Sequence, residues 1–140
     1  MLLETPAEID ALLPTLHTIA VLGIKIAETN APAYYVAEHA QRAGIRVIPV
    51  PVYYPDVTEI LGENVYRRLA DIPVPLDAVV VFRRAHRIPE HVDDILAARP
   101  RAVWMQLGIR NDEVARRLSD AGIDVVQDHC LMIELENRGR

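Results

Sequence analysis

The chain lacks the marks of several large protein classes. One of its 140 residues is cysteine, Cys130, so no intramolecular disulfide can form. No apolar run approaches the roughly 20 residues a membrane-spanning helix needs. Lysine is nearly absent: of 15 Lys and Arg residues, only Lys25 is lysine. The glycines of a GxGxxG or P-loop are missing after the first apolar run, and there is no GxSxG elbow. His17, His39, His86, His91 and His129 are scattered without metal-ligand spacing. A net charge of −5 makes a general nucleic-acid binder a poor reading, because phosphate neutralisation needs a basic face. Any anion site must be a local group of cations working against the protein's own field. The opening Met1-Leu2-Leu3-Glu4 has an acid where a signal peptide carries Lys or Arg, so a cytoplasmic protein is expected.

What is present is 51% hydrophobic and 25% charged residues, the composition of a globule with room for one core. Five short apolar runs recur: 18–23, 46–50, 78–82, 102–106 and 123–127. They are rich in β-branched residues, and the first three do not alternate. That pattern suits parallel strands buried on both faces. The segments between carry helix punctuation. Pro32 sits where a first-turn proline belongs, and Gly44 follows that segment as its stop. Pro89 opens a helix that Pro100 closes. Asn111 caps another that Gly122 ends. Gly62 to Ala70 is expected to form a short helix, Thr5-Pro6 to start an N-terminal one, and Leu131 to Asn137 a final one. Alternating β and α implies an α/β fold with right-handed crossovers and a doubly wound sheet of five parallel strands, whose ligands bind beyond the carboxyl ends of the strands.

The strand ends therefore hold the candidate site. After the first run, Gly23 permits a tight exit, Lys25 adds a mobile charge, and a helix N-terminus behind Pro32 faces an anion. The plain alternative is a solvated loop lysine. After the second run, Val50-Pro51 stands where an NAD site needs Asp or Glu, so NAD is disfavoured. Tyr53 and Tyr54 are read as cover for the sheet edge. After the third run, Phe82-Arg83-Arg84-Ala-His-Arg87 is the densest positive charge in the chain, and Arg suits phosphate through its planar fork. After the fourth, Gln106 offers donor and acceptor to a neutral amide chain; Trp104 is read as core. After the fifth, adjacent His129 and Cys130 generally point in different directions, so the local sequence does not establish a dyad, and Cys130 reads as a small buried residue.

Five motifs in order resemble the stand-alone CoA-binding-domain proteins, which are similar to the N-terminal domain of the succinyl-CoA synthetase α subunit. They are Pro32-Ala-Tyr-Tyr-Val36, Gly62-Glu-Asn-Val-Tyr66 with Leu69-Ala-Asp-Ile-Pro73, Leu76 to Arg83, Val103 to Ile109, and Asp128-His-Cys-Leu-Met-Ile-Glu134. The resemblance covers roughly Leu16 to Asn137. It implies a Rossmann-like three-layer fold, with a five-stranded parallel sheet of order 3-2-1-4-5 flanked by helices, and a coenzyme A site. The pyrophosphate would lie by Gly23, Ile24, Lys25 and the segment from Pro32. The adenosine would lie by Val50, Pro51, Phe82, Arg83 and Arg84, and the pantetheine arm would run toward Gln106 and Gly108. The family usually has Arg-Pro where this chain has Ala31-Pro32, and Asn at the position of Pro51. Lys25 is the candidate to replace the lost charge.

The expectation is one CoA-binding domain over residues 1–140, with 1–17 an N-terminal helix and 131–140 a C-terminal helix and tail. It would bind coenzyme A or an acyl-CoA without evident catalysis, metal, nucleic acid or membrane, with a homodimer open. Two alternatives stand beside it. One is a CoA-linked thiol carrier or enzyme using Cys130. The other is a protein-interaction module with a vestigial nucleotide site.

Overall fold

The computed structural model describes all 140 residues. Seven strands and five α-helices are present. The strands are β1 (Thr18–Leu22), β2 (Arg46–Val50), β3 (Glu59–Ile60), β4 (Glu63–Asn64), β5 (Ala78–Val81), β6 (Ala102–Met105) and β7 (Asp124–Val126). The helices are α1 (Pro6–Leu12), α2 (Pro32–Arg42), α3 (Val92–Ala98), α4 (Asp112–Asp120) and α5 (Leu131–Glu136). No helix is long and apolar enough to cross a membrane.

Five strands form one parallel sheet in the order β2-β1-β5-β6-β7. Alternate residues feed two cores. Ile19, Val21, Val80 and Trp104 pack on one face with Val36 of α2 and Leu131 of α5. Ala20, Leu22, Val79 and Met105 pack on the other with Ile95 of α3 and Leu118 of α4. Both faces are dry, which is why the strands read as continuous apolar runs. Local signals set the helix ends. Thr5 and Glu8 form a capping box at α1, and Asn111 caps α4 by accepting the Val114 N–H at 3.1 Å. Past α2 and α4, the Ile45 and Ile123 N–H groups reach back to Ala40 and Leu118 carbonyls, each at 3.1 Å.

Three expectations need correction. In an order of 3-2-1-4-5, the second long strand would lie inside the sheet; it lies at the edge. Pro49 explains this. The N–H of Arg46 and the carbonyl of Val50 bond toward β1, so Pro49 faces the opposite, outer side. A proline has no N–H for a ladder and sits in a sheet only at an edge. The third long strand, β5, therefore pairs on the far side of β1.

The helix expected over Gly62 to Ala70 is instead a β3–β4 hairpin followed by a 3-10 turn at Leu69–Asp71. Leu61 (φ 54°) and Gly62 (φ 77°) make its two-residue loop. Positive φ at both positions suits the primed turn that short hairpins require. Finally, Pro89 does not open a helix; it lies within a 3-10 segment, Ala85–His91, and α3 starts at Val92.

Candidate anion cleft at the carboxyl ends of the strands

The observed order puts the topological switch between β1 and β5. The chain leaving β1 runs to α2 on one face, and the chain leaving β5 runs to α3 on the other. Their separation opens a crevice at the carboxyl ends, where such sheets bind ligands. Gly23 sets how closely the two exits approach. It has φ 84°, and a Cβ there would lie 2.3 Å from the Phe82 carbonyl oxygen. Only glycine fits.

Two adjoining clefts occupy this crevice, of about 410 and 430 Å³, and they share Lys25, Phe82, Arg83 and Arg84. The first is also lined by Tyr53, His86 and Arg87. The second is lined by Pro32, Ala33, Gly108 and Ile109 among others. Lys25 and Arg84 have no carboxylate within salt-bridge distance; Arg87 pairs with Glu90 at 3.1 Å. The N-terminus of α2 opens on the second cleft. Ala31 gives it no side-chain cap, and Pro32 has no N–H to offer.

The structure thus brings Lys25, Pro32, Phe82, Arg83, Arg84 and Gly108 around one crevice, with Gly23 shaping it from behind. Ile24, Val50, Pro51 and Gln106 are buried and line neither cleft. Gln106 is already engaged. Its Oε1 accepts the Leu131 N–H at 3.2 Å, at the start of α5. Its Nε2 is buried without a partner, a free donor of the kind that usually has a reason.

Arg83 is 8% exposed. Its Nε donates to His91 Nε2 at 3.1 Å. Burial, and then the positive charge of Arg83, push the His91 pKa below the ordinary imidazole range. The Arg83 guanidinium carbon also lies 6.0 Å from the centre of the Tyr53 ring. Tyr53, read from sequence as edge cover, is therefore a wall of the first cleft. Its loop is held by Arg67, which donates to the carbonyls of Tyr53, Tyr54 and Val57 at 3.1, 2.9 and 2.7 Å. The position of Tyr53 just past a strand was its only sequence signal; His91 had none.

The thiol lies elsewhere. Cys130 is half-buried against the core on the α2 and α5 side and lines neither cleft. The His129 ring meets Glu134, with Nδ1 and Oε2 3.4 Å apart. No group of three His, Cys, Asp or Glu side chains is arranged to hold a metal ion.

Comparison with known proteins points to one family. The profile of the CoA binding domain matches residues 17–136. The uncharacterized protein YneT of Bacillus subtilis (strain 168) is 32% identical over 127 residues, 91% of each chain. A solved structure from Thermus thermophilus, cell-free ID.343, is 38% identical with a TM-score of 0.86, covering 96% of this chain and 98% of its own. The dinucleotide-forming acetyl-coenzyme A synthetase 1 of Ca. Korarchaeum cryptofilum shares the fold at 19% identity and a TM-score of 0.65. That match covers 81% of this chain and 27% of the synthetase.

Proposed function

From the premise that this chain belongs to the CoA binding domain family, we propose that it is a cytoplasmic binding protein for coenzyme A or an acyl-CoA, held in the crevice between the ends of β1 and β5. The observation that carries this reading is the gathering of Lys25, Arg83 and Arg84 on one crevice in a protein of net charge −5. Cations left without carboxylate partners suit a ligand that brings its own phosphates.

The residues fit the group in kind. Lys25 and Arg84 can meet the pyrophosphate with the uncapped start of α2. Tyr53 offers an aromatic face at the rim. Ala31 lacks the Arg side chain common in the family, and Lys25 approaches the same cleft from the loop before α2. When bound, coenzyme A would supply a thiol or thioester, and this chain's part is to hold its phosphate end. Binding rather than catalysis is the proposed role, because Cys130 lies outside the crevice.

A thermal-shift titration with CoA, dephospho-CoA and NAD tests the reading. Millimolar CoA with a micromolar Kd would add about 4 kcal/mol to stability. Dephospho-CoA should shift Tm less, and NAD least. A Tm unmoved by millimolar CoA would sink the proposal.

A further inference from the structure

The arginine on the floor of the two clefts is held unevenly. Its Nε makes a good bond to His91. Its terminal nitrogens find only Tyr53 Oη and Glu90 Oε2, both at 3.5 Å. A guanidinium presents five donors in a rigid fork, and here the stem side is fixed while the outer edge is poorly satisfied. That outer edge is the one that grips an anion with two parallel bonds.

We propose that His91 is a positioning residue for the anion cleft: a neutral imidazole, with its proton on Nδ1, whose Nε2 holds the Nε of Arg83 and so fixes the outer edge of the guanidinium for a phosphate. The tautomer follows from the contact. Arginine has no acceptor, so the His91 nitrogen facing it must carry the lone pair. The charged and titratable groups around His91 come from every neighbouring element. Arg83 leaves β5, Arg87 and Glu90 lie on the 3-10 segment, Asp94 is on α3, and Tyr53 reaches Arg83 from the loop after β2. Burial, Arg83 and Arg87 push the His91 pKa down against the opposing pull of Glu90 and Asp94, the direction that the accepting Nε2 also requires. Fixing a long side chain before the ligand arrives lowers the ordering cost of binding.

The ligand in this inference rests on the CoA reading above; the His91–Arg83 contact does not. Long-range ¹H–¹⁵N spectra of the ligand-free protein should show His91 protonated at Nδ1 and bare at Nε2 at neutral pH. A proton on Nε2 there would overturn the inference. Calorimetric titration with CoA should find binding weakened about tenfold in His91→Leu, which removes the acceptor. His91→Gln, whose amide oxygen can take the place of Nε2, should regain most of the affinity. Equal CoA affinity in wild type and His91→Leu also overturns it. If wild type itself fails to bind CoA, the CoA reading falls and the spectra still decide the contact. They decide it as well should His91→Leu not fold.

Discussion

The two ends of the sheet treat charge in opposite ways. Where β1 and β5 begin, the chain spends a carboxylate on itself. Asp77 accepts the N–H groups of His17 and Thr18, each at 2.9 Å, and pairs with Arg101 at 3.3 Å. Where the same strands end, Lys25 and Arg84 stand without carboxylates, and Arg83 holds Glu90 only at 3.5 Å. The beginning is electrostatically closed and ties neighbouring strands in register. The far end is left open. The same two strands thus begin at a paired carboxylate and end beside cations without one.

The largest way to break this contrast is Gly23→Ala. Its Cβ would press on the Phe82 carbonyl at a positive φ, so a loss above about 3 kcal/mol is expected. CoA binding should fail with it, since both exits border the crevice. Urea unfolding measures the loss, and near wild-type stability would show that the approach of the two exits is not constrained.

Asp77→Ala should come next, at about 1.5–2 kcal/mol, because it removes the acceptor of two N–H groups, one exposed and one part-buried. Its effect on CoA affinity should be less than twofold, which separates the two ends. Burial raises the Asp77 pKa, but the Thr18 and His17 N–H groups and Arg101 together hold it below the ordinary carboxylate value. Its stabilisation is therefore present above that ordinary value. It fades as pH falls through it toward the folded pKa. Asp77→Ala should flatten the acid limb of a stability–pH curve, and an unchanged limb would count against the assignment.

Lys25→Ala is the smallest change and the most selective. It should weaken CoA binding about tenfold, or 1.4 kcal/mol, with Tm in the absence of ligand nearly unchanged. Raising ionic strength from about 0.1 to about 1 M, which cuts the Debye length from ~10 to ~3 Å, should weaken wild type more than the variant. Parallel salt responses would remove Lys25 from the site.

Much of the architecture was legible from the residues. The five long strands fall within the apolar runs, because those runs are too short for a buried helix and are bounded by turn residues. Thr5, Asn111, Gly44 and Gly122 mark helix ends through chemistry that is local in sequence. The hairpin was not legible, because Leu61 stands at a turn position where Asn or Asp would have signalled it. Strand order was written in Pro49, but reading it required knowing which side of β2 that residue faces. At the crevice, Lys25, Arg83 and Arg84 could be placed because each lies just past a strand. His91 could not, since its link to Arg83 spans eight residues and exists only once the 3-10 segment turns back. Gln106 marks the opposite limit: its position at a strand end gave no sign that its oxygen was committed to α5.

Pro49 has a consequence for how the molecule meets copies of itself. Along the outer margin of β2, one position has no hydrogen to donate, and its carbonyl already receives the Tyr66 N–H at 3.0 Å. Along the other margin, the Leu3 N–H bonds the Val125 carbonyl at 2.8 Å, beside a parallel Leu2–Val125 bridge. Neither border of the sheet offers a bare ladder for another chain to extend. Association between copies is thereby directed away from edge-to-edge strand pairing and toward helices or loops.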